Sequence, residues 1–185
     1  MSDLTITQAG VSVAKKSGGE FLTADKKLNQ MRVNLVDASL TTLAGAIGNN
    51  EVVSQSIKLE NAVSVKGGYG IIQSITLNNA DTEMPVLDLV FTQVSTAIAD
   101  NLSEAVGNGV SDLDDTFQSV LGVVTIADWS NLVDSTICTR INVGLVIKAA
   151  SASRDIYVHA INRSGANFTP TATDDLYLRV GIVQD

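Results

Sequence analysis

Thr139–Lys148 reads TRINVGLVIK and Leu176–Val183 reads LYLRVGIV. In the first stretch Thr139, Ile141, Val143, Leu145 and Ile147 fall on one face, with Arg140, Asn142, Gly144 and Lys148 on the other. In the second, Leu176, Leu178, Val180 and Ile182 point one way while Tyr177, Arg179 and Gly181 point the other. A period of two is the signature of a half-buried antiparallel strand. From Cys138 to Val183 no motif of an active site interrupts the pattern, so the stretch specifies a sheet and the last strand is part of the fold.

The same reading extends towards the N-terminus. Ile57, Leu59, Val63 and Val65 alternate with Ser56, Lys58, Ser64 and Lys66, and Gly67–Gly68 permits a sharp turn before Tyr69, Ile71, Ile75 and Leu77. Leu87, Leu89 and Phe91 alternate with Asp88 and Thr92, and Pro85 suits a strand entry. Val123–Ile126 predicts a further strand. Gln93–Val110 lacks a clean period and predicts a long surface loop with a short helix over Ser95–Ala105. Ser111 with Asp114 resembles a capping box before a short helix ending near Leu121 and Gly122. About eight strands without regular helical crossovers predict an all-β fold, an antiparallel β-sandwich or jelly roll.

The leading residues differ. Met1 to about Gln30 is rich in Ser, Thr, Gly and Lys, and Met31–Asn50 mixes helical spacing (Val36, Leu40, Leu43, Ala44, Ile47) with strand-like alternation. Extended or mixed structure is the better fit there. The expected organisation is an extended N-terminal arm over 1–50, anchoring the chain to a partner, and a jelly-roll domain over 51–185.

Of the 185 residues, 45% are hydrophobic but only 4% aromatic, so the core must be aliphatic and stacking surfaces for bases or sugars are scarce. The net charge of −8 is uneven: residues 1–60 hold six Lys and Arg against six Asp and Glu, and residues 61–185 hold six against fourteen. An acidic body repels phosphates, so no nucleic-acid partner is expected. Lys15, Lys16, Lys26, Lys27 and Arg32 make the leading segment locally basic and are the candidates for docking on an acidic partner surface. No run of about 18 apolar residues exists and Met1–Ala9 carries no export signal, which predicts no membrane partner and synthesis in a cytoplasm.

Catalytic chemistry finds little material. His159 is the only histidine and lies on a predicted strand, where a structural role is expected; a multi-histidine metal site is impossible. Cys138 is the only cysteine, which excludes an internal disulfide. Gly67, Gly68 and Gly70 lack the spacing of a nucleotide-binding loop and read as turn glycines. Asp112, Asp114 and Asp115 are dense enough to suggest Ca²⁺, but Phe117 stands where an EF-hand needs glycine, and acidic residues at a helix start account for them. Two carboxylates converging in a sugar cleft remain an alternative that sequence leaves open, with Trp129 the lone tryptophan. No catalytic, cofactor-binding or metal-ligating residue is assigned, and no enzyme is expected.

Gly70–Leu77 (GIIQSITL), Val86–Phe91 (VLDLVF), Ser111–Ile126 (SDLDDTFQSVLGVVTI) and Asp155–Asp185 together resemble the jelly-roll decoration, or cement, proteins on the capsids of tailed bacteriophages. The resemblance covers roughly 66–185 and its motifs are structural. It implies a structural virion protein on the capsid exterior, made in the host cytoplasm, binding the major capsid protein as a homotrimer and stabilising neighbouring subunits. A tail fibre, receptor-binding or adaptor module of a virion is the alternative.

Overall fold

The computed structural model describes residues 32–110 and 118–184, and the backbone of three short strands before them. The chain divides into two units, Met1–Met31 and Arg32–Asp185. In the first, β1 (Thr5–Gln8), β2 (Val11–Lys15) and β3 (Phe21–Leu22) pair as an antiparallel sheet in that order.

The second unit holds β4 (Arg32–Leu40), β5 (Val52–Leu59), β6 (Tyr69–Asn79), β7 (Leu87–Thr92), β8 (Val120–Ile126), β9 (Trp129–Asn131), β10 (Thr136–Lys148), β11 (Ile156–Asn162) and β12 (Leu176–Gln184). One sheet has the order β4-β12-β6-β10-β9 and the other β5-β11-β7-β8, with antiparallel pairing throughout. Leaving the short β9 aside, the eight long strands interleave by passing between sheets after every strand except β7, which is followed, after a long connection, by β8 in the same sheet. That wrapping is the jelly roll, and the all-β sandwich expected from the alternation is what the chain forms.

The core lies between the sheets. Val36 and Leu40 of β4, Leu178, Val180 and Ile182 of β12, and Ile72, Ile75 and Leu77 of β6 meet Leu87, Leu89 and Phe91 of β7 and Ile156, Val158 and Ala160 of β11. These side chains are almost wholly removed from water. At about 25 cal/mol per Å² of apolar surface, this burial is the dominant stabilising contribution.

Four expectations need correction. First, β4 pairs along its whole length with β12, from Arg32↔Gln184 to Leu40↔Leu176, so the body begins at Arg32 and not at Glu51. Second, 95–105 contains no helix: Gln55 Oε1 accepts from the backbone N–H groups of Ile98 and Ala99, and Ser103 and Glu104 exchange backbone hydrogen bonds with Val52. Backbone groups satisfied by the sheet leave no helical ladder to form. Third, of the short helix predicted before Gly122, residues 111–117 lie outside the described residues, while Val120–Gly122 belongs to β8. Fourth, the single alternation read over Thr139–Lys148 breaks. The β10–β6 register passes from Ile141↔Ser74 to Leu145↔Ile72, with Asn142 (φ 57°) and Gly144 (φ 69°) in the left-handed region between. This bulge reverses the facing. Ile141 is 71% exposed, whereas Leu145 and Ile147 pack on the core.

Candidate interaction surface

The two outer faces of the sandwich are treated differently. Over the four-stranded sheet the segment 93–110 folds back onto the strands and builds a second apolar cluster, in which Ile98, Ala99, Leu102 and Val106 cover Val52, Val90 and Ile161. Its hydrogen bonds to β5 and to the residues before it, including the Glu51↔Ala105 bridge, fasten it along its length. His159 sits beneath the start of this segment, fully buried. Its Nδ1 accepts from the Ser56 N–H at 3.2 Å, and Ser56 itself has a left-handed backbone (φ 56°). Thr92 Oγ1 donates to the Val94 carbonyl at 2.9 Å, so it accepts from His159 Nε2–H at 3.2 Å. The ring is therefore neutral with its proton on Nε2, and burial pushes its pKa down to about 4. The structural role expected of His159 is consistent with this buried, fully bonded position.

The outer face of the five-stranded sheet has no such cover among the described residues. Strand registers arrange it in rows. Val33, Val183, Ile71 and Val146 form one row across β4, β12, β6 and β10; Leu35, Gly181, Ser74 and Ile141 form the next. Val33 (69%), Leu35 (60%), Ile141 (71%) and Val146 (59%) are all well exposed. Leu35 lies close over Gly181, where the missing side chain lets it lean onto the sheet. The third row turns polar: Asp37 and Arg179 pair through two hydrogen bonds, at 2.7 and 3.2 Å, and Thr76 meets Thr139 at 3.4 Å. The Arg179 guanidinium holds the Asp37 carboxyl below its ordinary range. The apolar rows thus form a patch at the end of the sheet where β4 begins.

Charge is also segregated by end. Because the strands run antiparallel, the start of β4, the β5–β6 and β10–β11 connections and the end of β12 gather together. Among the described residues of these segments, Arg32, Lys58, Lys66, Lys148 and Arg154 lie at this end, against Glu60 and Asp155; the β7–β8 connection also leaves and rejoins its sheet here, and its residues 111–117 lie outside the described ones. The opposite end carries Glu51, Asp81, Glu83, Asp88, Asp128, Asp134, Asp174 and Asp175, against Arg140 and Arg163. Several of those carboxylates are bonded internally: Asp81 accepts from Thr171 N–H and Oγ1–H, and Asp175 from Ala172 N–H. These bonds hold the Asp81 carboxyl below its ordinary range despite its partial burial. No group of acidic residues, histidines or cysteines suited to a metal ion occurs among the described residues.

Of the sequence-predicted docking residues, the structure describes only the backbone of Lys15, in the first unit, and Arg32, in the second. Lys15 ends β2, opposite Phe21. Lys16, Lys26 and Lys27 lie outside the described residues. Arg32 opens β4 and is exposed beside Gln184, so it belongs to the sandwich and not to an arm. Asp112, Asp114 and Asp115 also fall outside the described residues. Cys138 is buried and burial pushes its thiol up. Trp129 is half-buried, with Nε1–H donating to the Pro85 carbonyl at 2.7 Å. The bare apolar face is what the alternation missed. Its signal is the adjacent apolar pairs Leu35–Val36, Ile71–Ile72, Val146–Ile147 and Ile182–Val183, in each of which one residue enters the core and the other must face outward.

No protein-family model matches this chain, and no curated protein matches it. Among solved structures, a chain of the one described as "Structure of infectious bursal disease virus Gx strain" is similar at 9% identity, with a TM-score of 0.18. That likeness covers 97% of this chain and 46% of the other, so this chain spans less than half of its length. A similarity of this size carries no argument about fold or function.

Proposed function

We propose that this protein is a structural virion protein of the capsid-decoration kind, binding the outer surface of a tailed-phage capsid as a homotrimer and bracing neighbouring major capsid subunits. The observation that carries the reading is the bare apolar patch of Val33, Leu35, Ile141 and Val146 beside the basic end of an otherwise acidic body. An aliphatic surface flanked by cations suits a protein partner that offers apolar and acidic side chains. Completing the burial of these four side chains is worth roughly 4–8 kcal/mol before the costs of association, enough to hold a module when several copies act together. The basic residues of the leading unit, Lys15, Lys16, Lys26 and Lys27, add a second anchor in this reading.

Binding of the full chain to purified capsids that lack it, read by sedimentation, tests the proposal. The wild-type chain is expected to bind stoichiometrically, and Leu35→Lys with Ile141→Lys to lose most of that occupancy while retaining the native fold. Alanine at Lys15, Lys16, Lys26 and Lys27 should weaken binding independently. Failure of the wild-type chain to bind capsids removes the decoration reading in favour of a fibre or adaptor role.

A further inference from the structure

Lys66, Gly67, Gln93, Lys148, Ala150 and Ser151 line an open cavity of about 560 Å³ at the basic end of the sandwich. We infer that this notch is a carboxylate-binding site, and that its occupant is an acidic side chain of the partner protein; the choice of occupant rests on the function proposed above.

Four of the body's cations, Lys58, Arg140, Arg163 and Arg179, are paired with carboxylates. Lys66 and Lys148 make no ion pair among the described residues, although the body is rich in Asp and Glu. Both open on the same cavity. Two ammonium groups around one space repel each other, and an anion seated between them removes that repulsion and gains two charge-assisted hydrogen bonds.

The walls are built rather than incidental. Gly67 N–H donates to Ser153 O at 2.9 Å and Ala149 N–H to Gly68 O at 3.1 Å, stapling the β5–β6 and β10–β11 connections together. Gly67 has a left-handed backbone (φ +68°), and a Cβ there would stand 3.2 Å from Ser151 Cα. Gln93 Nε2–H donates to Ala149 O at 3.2 Å, which fixes the third wall. The Lys148 ammonium lies 5.2 Å from the centre of the Tyr69 ring, a contact that restrains the long side chain. Tyr69 and Lys148 form the row next to Ile71 and Val146, so the notch continues the bare apolar face at its rim. A partner seated on that face brings its own side chains to the notch. An acidic residue there would fix register, the task to which interfacial charge is suited.

The test uses the full chain and two probes, N-acetylglutamate α-amide and its neutral glutamine counterpart, in amide-resolved NMR titrations. Saturable shifts at Lys66, Gly67 and Ser151 are expected with the glutamate probe only, with affinity falling about tenfold or more in Lys66→Gln/Lys148→Gln. Unchanged amide positions away from the notch control for folding. Equal responses to both probes, or no saturable response, overturn the site, and tighter binding of glucuronate than of the glutamate probe overturns the peptide occupant. On capsids, the double variant is expected to lose about tenfold in affinity. Wild-type binding that the double variant leaves unchanged overturns the inference. Absence of wild-type binding overturns the proposed function instead, and the titration still decides the carboxylate site.

Discussion

Acidification should loosen this protein through His159 before its carboxylates titrate fully. The ring is buried and neutral, with a folded pKa of about 4 against about 6.5 in an unfolded chain. Between those values the unfolded state binds a proton that the folded state refuses, so stability is complete above pH 6.5 and falls as the pH drops towards 4. The full difference corresponds to about 3 kcal/mol, of which about 2 kcal/mol is lost between pH 7 and pH 5. Structurally, a proton on Nδ1 would face the Ser56 N–H, turning an acceptor into a second donor and unseating the start of the segment 93–110. Urea denaturation at half-unit steps from pH 7.5 to 4.5, on the wild type and His159→Asn, measures the effect. The Asn Oδ1 can still accept from Ser56 but cannot titrate. The variant should be less stable at pH 7.5 by about 1–2 kcal/mol, and the gap should close as the pH falls. Parallel curves for the two proteins would refute the reasoning, as would a histidine resonance titrating near pH 6.5 in the folded state.

Other outcomes follow from burial and backbone geometry. Cys138 should resist thiol reagents at pH 8 in the native protein and react fully once urea has unfolded it, since burial both shields the thiol and disfavours the thiolate. Gly67→Ala should lower stability by about 1–2 kcal/mol in thermal or urea unfolding, because the left-handed backbone and the nearby Ser151 Cα both oppose a Cβ. Leu77→Ala, which empties a fully buried site between the sheets, should cost about 2–5 kcal/mol. Asp37→Asn, by contrast, should change stability by less than about 1 kcal/mol, as its pairing with Arg179 is on the solvent face.

Strand periodicity carried most of the fold. Leu176–Ile182 reads correctly from its alternation because every second residue enters one core and no bulge disturbs the strand itself. Ile141 was misplaced because a bulge is a backbone event: nothing in the apolar pattern around Asn142 and Gly144 announces that facing reverses there. The segment 93–110 misled for a different reason, since the hydrogen bonds that fasten it to the body go to β5 and the residues just before it, far away in sequence, and local spacing cannot register such partners. Edge strand β4 was ambiguous because Val33, Leu35, Val36 and Leu40 are apolar on both faces, which resembles helical spacing when read alone. The same feature hid the candidate surface. A residue that is apolar and outward looks, in one dimension, like one more core residue.

The unequal finish of the two outer faces sets the cost of change on each. Beneath the segment 93–110, a polar replacement of Val52, Val90 or Ile161 would strand a hydrogen-bonding group away from water, whereas the same replacement of Val33 or Val146 on the other face would leave it hydrated. Two sides of one sandwich therefore tolerate opposite chemistry.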